Sequence, residues 1–201
     1  LLKNYVALVV LVLSISILFA TRREPFVSEY KIASNNTKLE SDAAFNMMMD
    51  VVMHQRCINC HPNDNVPKQG DDSHPHYFGI SRGPDNSGFQ ATSCTTCHQL
   101  ENNEYSGVPG APHWSLAPAS MGWQGLDRKA VAARMLNEKL NGGKNHEELI
   151  RHMTEDELVL WAWEPGVSVN GVPRELPPVS EDDFKNAVKD WFKNGAIIPS
   201  E

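Results

Sequence analysis

All four cysteines of this 201-residue chain fall in two copies of one short pattern. Cys57-Ile58-Asn59-Cys60-His61 reads CxxCH, and Cys94-Thr95-Thr96-Cys97-His98 repeats it. Two thiols at this spacing on one turn reach the two vinyl groups of a single porphyrin, and the imidazole that follows reaches the iron from one face. This is the attachment pattern of c-type haem. The pattern predicts two covalently bound haems c, with thioethers from Cys57, Cys60, Cys94 and Cys97 and iron ligation by His61 and His98. A zinc ribbon also uses two CxxC pairs, but about 15–20 residues apart and with no His after each; Cys60 and Cys94 stand farther apart. A redox CxxC is expected once, beside a βαβ pattern that this chain lacks. Two structural disulfides leave both trailing histidines unexplained.

Covalent cofactors change what the rest of the chain has to supply. Residues 61–93 and 101–124 are rich in Pro, Gly, Asp, Asn and Ser. Loops this long are uncommon in a compact domain unless they bind something, and two haems provide the missing apolar interior. Helices are expected around them. Ser41 can cap one that runs to about Arg56, with Ala44, Met47, Met48, Val51 and Val52 as its apolar face. Asp127 can cap a second that runs to about Leu140 and closes at Asn141-Gly142-Gly143. A short helix fits His146–Met153, and Thr154 with Glu157 makes a capping box before Leu158. Ser180 with Asp183 opens a last helix, striped by Phe184, Val188, Trp191 and Phe192. No strand pattern persists. The expected fold is mainly α with long irregular loops: a small dihaem cytochrome c domain behind an N-terminal transmembrane helix.

That leading helix is read from residues 1–20. No charge occurs from Tyr5 to Ala20, a length that spans roughly 24 Å as a helix against a hydrocarbon core of about 30 Å. The segment reads as a retained signal anchor rather than a cleaved signal peptide, because Leu18-Phe19-Ala20 makes a poor cleavage site. Arg22 and Arg23 at its outer end run against the positive-inside rule. The haem motifs decide the side instead, since such haems are attached outside the cytoplasm. The expected location is the periplasmic face of a bacterial inner membrane, with residues 21–39 as a polar tether and residues 40–201 as the dihaem domain. The net charge of −7 argues against nucleic acid as a partner and suits docking on a basic protein.

Each iron needs a sixth ligand or an open position, and the candidates are His or Met. His54 stands one turn before Cys57 and would face the haem from the same helix. His74 and His76 flank a proline that extends the backbone, so their imidazoles point apart and one of them is a ligand. His76 is favoured, because Tyr77 and Phe78 suit a haem edge. His113, Met121 and His152 are further candidates, and His146 reads as a surface residue. A pair of imidazoles is favoured over His/Met for at least one haem; Met would raise the potential.

Several other stretches are similar to one family. These are QGDDSHPH (residues 69–76), Arg82-Gly83-Pro84-Asp85, the second CxxCH with Gln99, SGVPGAPHW (106–114), residues 116–121, His152-Met153 and WAWEPG (161–166). Over about residues 45–195 the chain resembles the dihaem c-type cytochromes labelled as an isoquinoline 1-oxidoreductase subunit. That label implies association with a periplasmic molybdenum hydroxylase of the xanthine oxidase type. A looser likeness is to the small dihaem subunit of periplasmic nitrate reductase. It also places a His and an aromatic before its second CxxCH, as His76-Tyr77 precedes Cys94, and it favours bis-His ligation.

The expected function is electron transfer between a periplasmic dehydrogenase and a membrane respiratory complex, without enzymatic activity. Two alternatives stand beside it. A dihaem enzyme such as a peroxidase would need one open iron and an acid–base group, for example Glu101, Glu104 or His113. A structural haem subunit of a larger membrane complex would co-purify with other chains.

Overall fold

The computed structural model describes residues 25–200, with side chains from residue 38 onward. The expected membrane helix over residues 1–20 lies outside them. No helix among the described residues is long and apolar enough to cross a membrane. The chain divides into two compact units between Glu40 and Ser41, and the site lies in the second.

The fold is mainly helical. Helix α1 spans Pro25–Val52, so the stretch read as a polar tether is helical from Pro25 onward. Ser41 is not its cap. Ser41 sits inside the helix and is buried, because it falls on the same face as Ala44, Phe45, Met48, Met49 and Val52. Ala44, Met48, Val51 and Val52 of the expected face are buried, Phe45 and Met49 join them, and Met47 is exposed. The helix also ends earlier than expected. A separate turn, α2 (Gln55–Ile58), follows it and carries Cys57.

Three more helices complete the core. Helix α3 (Arg128–Met135) starts on the expected Asp127, whose carboxylate accepts from the Ala130 amide. It stops short of Leu140, and the buried Asn141 ties the turn beyond it. The Asn141 amide donates to the Met135 and Lys144 carbonyls and its oxygen accepts from the Lys144 N–H. Helix α4 (His146–Glu155) opens on a full capping box from Asn145 and Glu148. The box expected from Thr154 does not form. Thr154 is buried and donates back to the Ile150 carbonyl, and Asp156 caps the short α5 (Glu157–Leu160) instead.

Helix α6 (Glu181–Lys193) is capped by Ser180, as expected. Its buried residues are Phe184, Ala187, Val188, Trp191 and Phe192, the i, i+3, i+4, i+7, i+8 spacing of one apolar stripe. This stripe packs on α4 and closes the core with α1 and α3. Each large side chain buried here contributes about 1.5–3 kcal/mol.

The sequence between α2 and α3 is loop, with short 3-10 turns and one small hairpin. Strands β1 (Lys68–Gln69) and β2 (His74–Pro75) pair antiparallel, Lys68 opposite Pro75 and Gln69 opposite His74. The sequence shows no persistent strand pattern, and this two-residue pairing is the small exception. Gly70 turns the hairpin with φ of +74°, and a Cβ there would meet Asp72 Oδ1 and His74 Cε1 at 2.8 Å. The buried Arg82 binds the loops together. Its guanidinium donates to the carbonyls of Pro62, Asp64 and Ala117 and to Asn86 Oδ1.

Candidate functional site

The two CxxCH motifs receive the same local treatment from different parts of the fold. The first follows α1 directly, so that Cys57 lies on α2 and Cys60 and His61 on the turn after it. The His61 ring stacks on Trp123, ring centres 3.4 Å apart and 11° from parallel. Its Nδ1 lies 2.8 Å from the Met121 carbonyl oxygen. A carbonyl only accepts, so Nδ1 carries the proton and donates. That leaves Nε2 with a free lone pair, and it bonds to no described residue. Burial pushes the His61 imidazole down to about 3, so it stays neutral.

The second motif sits among loops, with Cys94–Thr96 forming a 3-10 turn. His98 stacks on Trp114, ring centres 4.3 Å apart and 5° from parallel, and its Nδ1 donates to the Pro109 carbonyl at 2.7 Å. Burial lowers its pKa as well. A ligating imidazole is oriented in this way, its far nitrogen tied to a backbone carbonyl so that Nε2 is presented to the metal. Neither Trp nor either carbonyl was legible as part of a site, because each partner comes from a loop remote in sequence.

Asn102 holds the loop that supplies the Pro109 carbonyl. Its Oδ1 accepts from Trp161 Nε1 and from the Gly110 amide, and its Nδ2 donates to the Glu164 carbonyl. Trp161 in turn meets Trp114 edge-on at 4.9 Å. Gly110 must lack a side chain, since a Cβ there would lie 2.2 Å from the Glu101 carbonyl oxygen. The WAWEPG stretch thus works as a support for His98.

No disulfide joins any of the four cysteines. Burial, with a smaller contribution from Cys60, raises the Cys57 thiol to about 12. Burial, then Cys94, raises Cys60 to about 11. Thiols this reluctant to ionise are unsuited to thiol–disulfide exchange. Cys94 lies near enough to raise the Cys60 thiol, so the two motifs share one neighbourhood.

The candidate sixth ligands separate clearly. His76 comes off β2 beside His98, ring centres 6.2 Å apart and 73° from parallel. Its Nδ1 is tied to its neighbour's carbonyl, Tyr77 O, at 3.0 Å. Two imidazoles that share one metal through Nε2, with metal–nitrogen bonds of about 2.0 Å, have ring centres about 6 Å apart. His74 has neither nitrogen to spare: Nδ1 pairs with Asp72 and Nε2 with the Gln69 amide. His54 does not share the Cys57 helix as a ligand face. It caps α2, its Nδ1 accepting from the Arg56 amide, with Nε2 turned toward Glu175 at 3.9 Å.

Beside the first motif lies a cavity of about 710 Å³, lined by Cys57, Cys60, His61, His113, Met121, Trp123, His152, Met153 and Phe184 among others. Its size falls in the range of about 300–1,000 Å³ typical of cofactor pockets. His152 projects from α4 with Nδ1 bonded to Asp156 Oδ2 at 2.9 Å, which again leaves Nε2 free. His113 lines the same cavity from an exposed loop position with φ of +59°. Met121 and Met153 are buried in the core.

The donor set fits haem and not a bare metal ion. A porphyrin supplies the equatorial ligands itself, so one or two axial imidazoles suffice. Among the described residues no three His, Cys, Asp or Glu side chains converge on a common metal position. Two buried donors near His61, Trp123 Nε1 and Arg82 Nε, have no acceptor among the described residues. An anionic group such as a haem propionate answers that need. Comparison with family models, curated proteins and solved structures returns no match, so the functional reading rests on this geometry.

Proposed function

We propose that the chain is a dihaem c-type cytochrome that carries electrons between redox proteins. The observation that carries this reading is the repeated device at His61 and His98: Nδ1–H given to a backbone carbonyl, the ring stacked on a Trp, and Nε2 left free beside two thiols. Haem c, when bound, supplies a one-electron iron centre. Cys57 and Cys60 would hold the first haem and Cys94 and Cys97 the second. His61 and His98 would be the proximal ligands, with His152 and His76 as the partners opposite them. Asp156 and the Tyr77 carbonyl fix the tautomers of those partners. Ligation by His61 with His152, and by His98 with His76, would leave no iron position for peroxide, which favours a carrier over a peroxidase.

The N-terminal segment is proposed as a membrane anchor that keeps residues 40–201 on the periplasmic face of a bacterial inner membrane. The family resemblance makes a molybdenum hydroxylase the proposed donor and a membrane respiratory complex the proposed acceptor. The test is the mass and voltammetry of the exported protein. Two covalently added haems and two one-electron waves are expected. One haem, or none, overturns the reading.

A further inference from the structure

We infer that the surface around the second CxxCH motif is the docking face for a basic redox protein, and that electrons enter and leave the molecule there. This rests on the dihaem reading. The two motifs differ in cover. The first opens on a cavity walled by core helices, whereas Cys97, Gln99 and Leu100 of the second lie exposed.

Apolar side chains gather in the same part of the chain. Tyr77, Phe78, Phe89, Leu100 and Tyr105 are all exposed, Phe78 at 90%. Tyr77 and Phe78 follow His76 directly, and Leu100 lies two residues after His98. Tyr105 sits in the loop whose Gly107 abuts the backbone of Val169, itself exposed. Phe78 holds a positive φ of +66°. A bulky residue kept in that strained region and turned to solvent is characteristic of a functional surface.

Acidic side chains predominate around this patch, with the half-buried Arg174 donating to the Gly107 carbonyl at its edge and Arg56 paired with Asp71. Within residues 69–110 every exposed charged side chain is acidic: Asp71, Asp72, Asp85, Glu101 and Glu104. The single base in that stretch, Arg82, is buried. An apolar centre inside an acidic rim is complementary to an apolar centre inside a basic rim, and such pairing raises encounter rates in a salt-dependent way. With haem bound there, the His98 site would exchange one electron per encounter, the haem being oxidised as the partner's one-electron centre is reduced, or the reverse.

The test uses the full, haem-loaded chain. Reduced protein is mixed by stopped flow with a ferric basic monohaem cytochrome c, and separately with an acidic one, over a series of salt concentrations. The basic probe should react faster, and its rate should fall steeply with salt. Glu101→Lys with Glu104→Lys should slow it about tenfold or more at low salt and flatten the salt dependence. Phe78→Ser should slow it at every salt concentration. Glu138→Lys with Asp190→Lys, exposed positions on the turn after α3 and on α6, should change the rate less than about twofold.

Several results would overturn the inference while leaving two haems in place. They are an equal effect from the Glu138/Asp190 pair, a preference for the acidic probe, or loss of low-spin haem in the Phe78→Ser protein, which would mean Phe78 covers haem. Self-association abolished by Phe78→Ser without a change in rate would assign the patch to a second copy. A wild-type protein without two haems would defeat the underlying reading instead.

Discussion

The two CxxCH regions share a device and differ in what surrounds it. Around His61 the loop residues Met121 and Trp123 are backed by helices: α1 leads into the motif, and Phe184 on α6 lines the cavity. Around His98 they are loops and side-chain amides: Pro109, Trp114, Asn102 and the hairpin that carries His76. The same imidazole orientation, set at both sites by a backbone carbonyl and a Trp, is thus backed once by the packed core and once by further hydrogen bonds. The first region owes its rigidity to the hydrophobic core; the second owes it to a few directional contacts. Mutations should therefore separate the two.

The largest separation is expected on removing the thioethers. Cys57→Ser with Cys60→Ser should lower the haem count from two to one by mass. It should also lower the cooperativity of urea unfolding, because the cavity it empties adjoins the core. Cys94→Ser with Cys97→Ser should remove one haem and leave the unfolding of the core helices cooperative. Next in size, Phe184→Ala should cost about 3–5 kcal/mol as a large core truncation. Leu100→Ala, 71% exposed, should stay within about 0.5 kcal/mol. Equal costs would erase the contrast.

Smaller effects sharpen it. Asn102→Ala leaves Trp161 Nε1 and the Gly110 amide without their acceptor, at about 1–3 kcal/mol, and should move only the voltammetric wave of the second haem. Trp123→Phe should move only the first. The smallest effect is expected at the loop between the two sites. The Lys68 ammonium donates to Asp64 at 2.8 Å and holds that carboxyl below its usual value. A depressed carboxylate adds stability above its unfolded-state pKa and loses it as pH falls through the folded value. Asp64→Asn should thus cost a few tenths of a kcal/mol at neutral pH, as exposed pairs do, and nothing in strong acid.

What the sequence made legible follows the range of each interaction. The grouping of Cys57, Cys60 and His61, and of Cys94, Cys97 and His98, was readable because CxxCH is local. So were the Asp127 and Ser180 caps and the α6 stripe, which are fixed by neighbours within eight residues. The sequence favoured His76 over His74 for its neighbours Tyr77 and Phe78; in the structure the two differ because both His74 nitrogens are paired, with Asp72 and Gln69. The sequence misplaced Ser41 and Met47 because a helix face is chosen by what packs on it. His54 was misplaced because the break after Val52 turns it into a cap. The Trp stacks and carbonyl partners were invisible, since each joins residues brought together only by the loops. The His152–Asp156 pair was readable at its i, i+4 spacing, but nothing local pointed it at the first cavity.

The central claim is that each haem is held between two imidazoles, His61 with His152 and His98 with His76. Low-temperature electron paramagnetic resonance of the oxidised, haem-loaded protein tests it most directly. The account predicts two low-spin bis-imidazole ferric signals, with His152→Ala and His76→Ala each converting one of them to high spin. A high-spin signal in the wild type, a sulfur-ligated iron at either site, or loss of neither signal in those variants would contradict it.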